Sequence, residues 1–173
     1  FGWLQPKQSY TSKKAMGIFS IIFLLLPFES YKEYRAIFKN KQVHGTYYNG
    51  EGIEVPAYLK KKQHPLDNIL FLEYHIGYWM LNKRPPTMAV THPSNLFRTN
   101  LFPFYNKRET TQQELAFILD SLKPAVIVID HKNSLFKGRS VLEAQFNEKI
   151  SQHYTKDTLI GKAQLYKILP LKK

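Results

Sequence analysis

The stretch AVIVID, from Ala125 to Asp130, is an uninterrupted apolar run dominated by β-branched residues. A run of this length and type predicts a strand that is buried on both faces of a sheet. Two shorter apolar runs precede it, ILFLEY at residues 69–74 and TMAVT at residues 87–91. Residues 159–169 close the chain as one or two further strand segments, with a break at Gly161.

Helical patterns separate these runs. They are residues 53–62, residues 76–81, a segment that begins at Thr111, and a segment with the apolar stripe Leu142, Phe146 and Ile150. Thr111, followed three residues later by Glu114, has the spacing of a capping box. The alternating order predicts an α/β fold, a small Rossmann-like three-layer domain with a mostly parallel sheet.

The charge balance favours anionic partners. The chain has 25 Lys and Arg against 13 Asp and Glu, a net charge of +12, and no cysteine. The absence of cysteine excludes disulfides, Cys-based zinc sites and a thiol nucleophile. The basic residues are dispersed, and we interpret the densest run, Lys60 to Lys62, as a solvated helix face. Because neither a clustered basic stripe nor an aromatic stacking platform is visible, we predict no nucleic-acid partner.

The segment AMGIFSIIFLLLPF, from Ala15 to Phe28, holds fourteen residues without a charge. A membrane crossing needs about 20 apolar residues. The segment is therefore the last transmembrane helix of a larger protein, a signal peptide, or a buried helix of a soluble domain. No small-x-small cleavage site follows Pro27, and the chain starts at Phe1, as a fragment or processed product would. We favour the first interpretation: residues 1–42 are a membrane-anchoring helix and linker, and residues 43–173 are an extramembrane α/β domain.

The region VPAYLKKKQHPLDNILFLEYHIGYWMLNKR, from Val55 to Arg84, carries a set of short motifs. These are Tyr58-Leu59-Lys60, Asp67-Asn68-Ile69, Tyr78-Trp79 and Arg84-Pro85, with Lys123-Pro124 before AVIVID. As an order of elements covering most of residues 16–169, they resemble the C-terminal region of bacterial integral-membrane glycosyltransferases of the protein O-mannosyltransferase-like superfamily.

The resemblance implies a last transmembrane helix followed by a small extracytoplasmic α/β domain in the bacterial inner membrane, periplasmic or extracellular. It implies donors that are polyprenyl-phosphate-linked sugars. The family's catalytic acid sits in loops between early transmembrane helices that this sequence does not contain, so no catalytic residue is carried over. The implied role is an accessory domain, not itself catalytic, whose partners are the membrane, through the segment from Ala15 to Phe28, and a polyprenyl-phosphate sugar or an acceptor.

Each of the three best strand candidates ends in a histidine: His75, His92 and His131. Parallel strands would place these imidazoles along the carboxyl edge of the sheet, where open α/β sheets bind ligands. The candidate ligand-binding residues include Tyr78 and Arg84 from the resemblance, and in full are His75, Tyr78, Arg84, His92, Asn95, Arg98, Asp130 and His131.

Three interpretations of this edge stay open. The imidazoles and Asp130 are ligands for zinc or another divalent metal; or His92, Asn95 and Arg98 hold a phosphate or sugar; or histidines are simply tolerated where strands enter loops. The last is the commonest case, and we assign no metal. The alternative function is then a stand-alone soluble α/β domain that binds a small anionic or sugar ligand, or a divalent metal, at this edge.

Familiar catalytic and nucleotide-binding motifs are missing from the sequence. It contains no P-loop, G-x-G-x-x-G, H-E-x-x-H or G-x-S-x-G and only 8 glycines, so we predict no cofactor. The stretch 91–108 lacks apolar periodicity and is rich in aromatic residues. Loops of about this length often have a function, and its aromatic side chains would cover a substrate, enter lipid, or pack beneath the loop. We favour packing.

Overall fold

The computed structural model describes most of the chain. The described residues are 11–25, 30–45, 47, 50–64, 68–105 and 108–170. The chain divides into two compact units, one up to Tyr48 and one from Asn49 onward.

The first unit contains two helices, α1 (Thr11–Leu25) and α2 (Tyr31–His44). Helix α2 ends at Gly45, whose φ of 72° suits glycine and whose N–H donates to the Lys41 carbonyl at 2.9 Å. Residues 26–28, the end of the predicted apolar segment, lie outside the described residues. Among those that are described, no helix combines the length and the apolar character needed to cross a membrane.

The second unit is built on a four-stranded sheet. Its strands are β1 (Ile69–Phe71), β2 (Val126–Asp130), β3 (Tyr154–Ile160) and β4 (Ala163–Ile168), in the order β1-β2-β4-β3. Strands β1 and β2 are parallel, whereas β2 with β4 and β3 with β4 are antiparallel. The α/β class is confirmed, but the mostly parallel, Rossmann-like sheet is wrong.

Local chain geometry explains this correction. Strands β3 and β4 are joined by the two residues Gly161 and Lys162, and a turn that short permits only antiparallel pairing. Gly161 has a φ of 57°, in the left-handed region that such a turn requires. The predicted strand at residues 87–91 is instead a 3-10 helix, Met88–Val90, which lies between prolines on both sides and cannot join a sheet.

Helices surround the sheet. They are α3 (Glu51–Lys61), α4 (Ile76–Met80), α5 (Phe102–Tyr105), α6 (Thr111–Ala116), which continues as a π-helix over Phe117–Leu122, and α7 (Ser140–His153). Three further 3-10 segments are Pro93–Phe97, Thr99–Leu101 and Ser134–Phe136.

The central strands are covered on both faces, because successive side chains of a strand point to opposite sides. One face packs with α6, α7 and the loops; its buried residues include Leu70, Leu72, Ile127, Ile129, Leu115 and Phe146. The other face packs with α3 and α4; its buried residues include Ile69, Phe71, Val126, Val128, Val55, Leu59 and Tyr78. The continuous apolar pattern of AVIVID was therefore a correct indication of burial on both faces.

Helix α4 is fixed tightly against the outer strand β1. The Tyr78 hydroxyl accepts a hydrogen bond from the Phe71 N–H at 2.8 Å. The Phe71 and Tyr78 rings meet edge to face with centroids 5.0 Å apart. A Cβ on Gly77 would lie 2.5 Å from the Phe71 ring, so glycine is required for this close approach.

The stretch 91–108 is less irregular than the sequence predicts. Phe102 is fully buried in the core, whereas Phe104 is 83% exposed. The capping box is formed by Thr110 and Gln113, one residue earlier than predicted. The hydroxyl of Thr111 instead donates to the Leu96 carbonyl at 2.8 Å and so ties the loop to α6.

Candidate functional site

Strands β1 and β2 end at the same edge of the sheet, as parallel neighbours must. The chain leaves β1 through Tyr74, whose φ of 59° is unusual for an aromatic residue. The Tyr74 hydroxyl donates to Asp130 Oδ2, at the end of β2, at 3.2 Å. Burial, together with the charges of Asp130 and Glu51, raises the pKa of Tyr74, so the phenol stays protonated as a donor.

Two carboxylates hold the loop that follows β2. Glu73 accepts from the Asp130 N–H at 2.6 Å and from the Ser134 hydroxyl at 2.7 Å. Asp130 accepts from the Lys132 N–H at 2.8 Å in addition to Tyr74. Each oxygen of these two carboxylates accepts a hydrogen bond from the protein. The carboxylates therefore hold the loop after β2 in position.

His75 and His92 lie together at this edge, with ring centroids 6.1 Å apart. His92 follows a 3-10 helix rather than a strand and caps the next one, Pro93–Phe97. Its Nδ1 accepts the Ser94 N–H at 3.2 Å. The neutral His92 ring therefore carries its proton on Nε2, which is left as a donor.

His75 has two ring nitrogens that are shielded from solvent and make no hydrogen bond with the described residues. Burial, together with the neighbouring His92, lowers the pKa of His75 to about 4. The Val90 backbone opposes part of this decrease, although its contact with the ring is too poor in geometry to count as a full hydrogen bond. At neutral pH, His75 is an uncharged imidazole whose two nitrogens are shielded from solvent and make no hydrogen bond with the described residues.

His131 lies next to Asp130 and contacts the turn between β3 and β4. Its N–H donates to the Lys162 carbonyl at 2.8 Å, and its Nδ1 lies 3.2 Å from the same oxygen and 3.8 Å from Asp130 Oδ1. Within the described residues, no group of three or more His, Asp or Glu side chains is arranged to hold a metal ion. His131 therefore follows β2 at the same edge, but within the described residues the three imidazoles form no metal-binding group, and the geometry does not support the zinc alternative.

The remaining predicted residues play different parts. Tyr78 is buried, and its hydroxyl is used by Phe71. The Asn95 amide donates to Thr91 Oγ1 at 3.0 Å, and Arg84 and Arg98 are exposed. The site thus reduces to the His75–His92 pair, with the Asp130 network beside it.

Sequence reasoning missed two contributors to this edge. Tyr74 was placed inside a strand, because it ends an apolar run. Glu51 joins α3 to the turn between β3 and β4 by accepting the Lys162 N–H at 2.8 Å. Glu51 and Lys162 are 111 positions apart, and no local sequence pattern predicts a contact over that distance along the chain.

The pH dependence of stability tests the environment of His75. Its folded-state pKa of about 4 is below the ordinary value of 6.5, so the unfolded chain binds more protons between these values. Stability is fully present above about pH 6.5 and is lost as the pH falls towards 4. Because part of the ring is exposed, we expect a loss of about 1 to 2 kcal/mol. Urea titrations of His75→Gln should show a flatter pH profile than wild type, whereas His131→Gln should not.

The arrangement suits recognition of a polar ligand. An imidazole that carries one proton can donate a hydrogen bond to a hydroxyl or phosphate oxygen and accept one from a hydroxyl group. Comparison with protein families, curated proteins and solved structures gives no significant match. The geometry and the sequence resemblance therefore carry the functional argument.

Proposed function

We propose that this chain is an accessory, non-catalytic module of a membrane glycosyltransferase that uses polyprenyl-phosphate-linked sugars. The observation that carries the proposal is the exposure of helix α1. All of residues 15–22 are exposed, and five large apolar side chains among them are half exposed or more: Met16, Ile18, Phe19, Ile21 and Ile22. At 3.6 residues per turn, these positions cover about 220° of the helix circumference, and Gly17 and Ser20 occupy the remaining sector.

A helix that exposes apolar side chains over more than half of its circumference is stabilised by an apolar environment. A lipid membrane supplies such an environment, and the positive charge of residues 1–48 favours binding to a membrane. Residues 1–48 carry seven Lys and Arg against two Glu, which favours attraction to anionic headgroups. The glycosyltransferase part of the proposal is supported by the motifs between Val55 and Arg84.

The non-catalytic role is supported by the carboxyl edge. Glu73 and Asp130, the two acids at the strand ends, are already engaged by backbone and hydroxyl donors. An acid or base must lie within hydrogen-bond reach of the proton that it transfers. The edge therefore contributes binding, through His75 and His92, and the chemistry belongs to another part of the enzyme.

Vesicle flotation of the full chain tests membrane attachment. We expect the wild type to float with anionic vesicles and the variant Ile18→Asp/Ile21→Asp to lose at least about tenfold in binding, since each buried charge opposes lipid contact. Val141→Asp/Leu159→Asp is the matched control, because it places two charges at exposed apolar positions of the second unit. Equal flotation of the two variants would refute attachment through α1.

The accessory role is tested with vesicles that contain a polyprenyl-phosphate sugar labelled in the sugar. We expect the chain to bind these vesicles more tightly than vesicles with the unglycosylated lipid, and to release or transfer no label. Transfer or hydrolysis of the sugar by the chain alone would contradict the proposal.

A second candidate function is favoured by one observation, the unpartnered nitrogens of His75. It is the binding of a small soluble phosphate or sugar at the His75–His92 pair, independently of a membrane. Titration of the imidazole NMR signals with inorganic phosphate and with a methyl glycoside tests it. A shift confined to His75 and His92, and lost in His75→Gln/His92→Gln, would support it, whereas unchanged signals would exclude it.

A further inference from the structure

Helix α4 exposes two large apolar side chains on one side. Trp79 is 78% exposed and Ile76 is 51% exposed. Residues three apart on a helix lie on the same face. An indole ring this exposed lacks the stabilisation that burial of its large apolar surface normally provides. Its exposure therefore indicates a contact site.

Basic residues lie beside this face. Lys60 Nζ donates to the Met80 carbonyl at 2.9 Å, which places the C-terminal end of α3 against the C-terminal end of α4. Lys61 is the last residue of α3 and Lys62 follows the helix; both are exposed. The turn after α4 adds Lys83 and Arg84. We call Ile76, Trp79, Lys60, Lys61, Lys62, Lys83 and Arg84 together the Trp79 surface.

Among the described residues of the neighbouring elements, Asp157 accepts a hydrogen bond from the Tyr58 hydroxyl and lies 3.6 Å from His64. Glu54 and Glu51 lie in the first turn of α3, about 9 Å and 14 Å from Lys60 by helical rise. Glu51 also accepts the Lys162 N–H, and Glu73 is held by Asp130 and Ser134. The exposed indole is therefore bordered by positive charge.

We infer that the Trp79 surface docks on the headgroup region of an anionic phospholipid membrane. The inference deepens the proposed function and rests on it, because it assigns a second membrane contact to the α/β unit. Indole rings favour the interface between headgroups and acyl chains, and each nearby Lys or Arg adds to the attraction to anionic lipid. Protein interfaces are by contrast depleted in lysine, which provides four of the five charges here.

Docking in this way would bring the His75–His92 pair close to the membrane. His75 is the N-cap of α4, and Trp79 is four residues further on. The rise between them is about 6 Å. A sugar linked to a polyprenyl phosphate in the membrane would then lie close to the His75–His92 pair.

Tryptophan fluorescence of the full chain tests the inference. The two tryptophans are Trp3 and Trp79, so the variant Trp3→Phe leaves Trp79 as the only indole. With vesicles containing about one third anionic lipid, we expect a blue shift and quenching by brominated acyl chains. The effect should weaken at about 0.5 M NaCl and be absent with purely zwitterionic vesicles.

A charge-reversal pair supplies the matched comparison, in the same Trp3→Phe background. Lys61→Glu/Lys62→Glu should reduce Trp79 quenching about tenfold, because it reverses two charges of the surface without removing the contact of Lys60. Lys156→Glu/Lys167→Glu makes the same charge change at exposed sites of the sheet and should leave quenching within about twofold.

The outcomes separate the two proposals. If the chain floats with vesicles but Trp79 stays unquenched, or if both charge-reversal pairs behave alike, the docking surface is refuted and membrane attachment through α1 stands. If the chain does not float at all, both are refuted. Equal quenching with zwitterionic vesicles would refute the requirement for anionic lipid.

Discussion

Replacing Arg108 with alanine is expected to lower the free energy of unfolding by about 3 to 5 kcal/mol. Arg108 Nε donates to Glu114 Oε2, and the Glu114 side chain is completely shielded from solvent. The Arg108 guanidinium also stacks on the Phe117 ring, 3.9 Å from its centroid. Removing the arginine leaves a buried carboxylate without its counter-charge, and that desolvation penalty is much larger than the value of the pair itself.

Urea unfolding of three variants checks this mechanism. Arg108→Ala should be the least stable, and Arg108→Ala/Glu114→Leu should recover most of the loss, because no charge is then left in the interior. Glu109→Gln, at an exposed neighbouring position, should change stability by less than about 0.5 kcal/mol. A double variant as unstable as Arg108→Ala would show that the cost comes from lost packing on Phe117 rather than from the buried charge.

The same region shows where sequence reasoning fails. Thr110 and Thr111 are consecutive, and each has a capping partner three residues on, Gln113 or Glu114. The local pattern fits both alternatives equally. The structure uses Thr110 with Gln113, because Glu114 is drawn inward to Arg108. An ion pair between residues six positions apart accounts for a choice that the capping rule leaves open.

The sequence pattern predicts only part of the sheet, because here too the local pattern fits more than one structure. The parallel pairing of β1 with β2 follows from two apolar runs separated by helical sequence. The run at residues 87–91 is also apolar at its centre, but prolines on both sides restrict its backbone and remove donors, so it forms a 3-10 turn. Apolar content alone does not distinguish these cases when a run has only five residues.

The His75–His92 pair was expected for a reason that proved wrong. The prediction required both residues to follow parallel strands, whereas His92 reaches the edge through a loop. The loop is directed there because Leu96 and Phe102 are buried in the core and the Thr111 hydroxyl anchors the Leu96 carbonyl. Burial of apolar loop residues, rather than sheet topology, brings the two imidazoles together.

Replacing Phe71 with alanine should cost about 3 to 5 kcal/mol, because its ring is fully buried and the cavity cannot collapse around Gly77. The ring supports Gly77 and Tyr78, so helix α4 should also become mobile. In the Trp3→Phe background, Trp79 anisotropy should fall in Phe71→Ala before global unfolding begins. Phe146→Ala is the matched control, since Phe146 is equally buried on the opposite face.

Phe146→Ala should lower stability by a similar amount while leaving Trp79 anisotropy unchanged in the folded state. That difference would show that α4, which carries both His75 and Trp79, is held in place by its packing on β1. Equal loss of anisotropy in the two variants would mean that the outer helix responds to the core as a whole. The edge and the Trp79 surface would then depend on overall stability rather than on the contact between Phe71 and Tyr78.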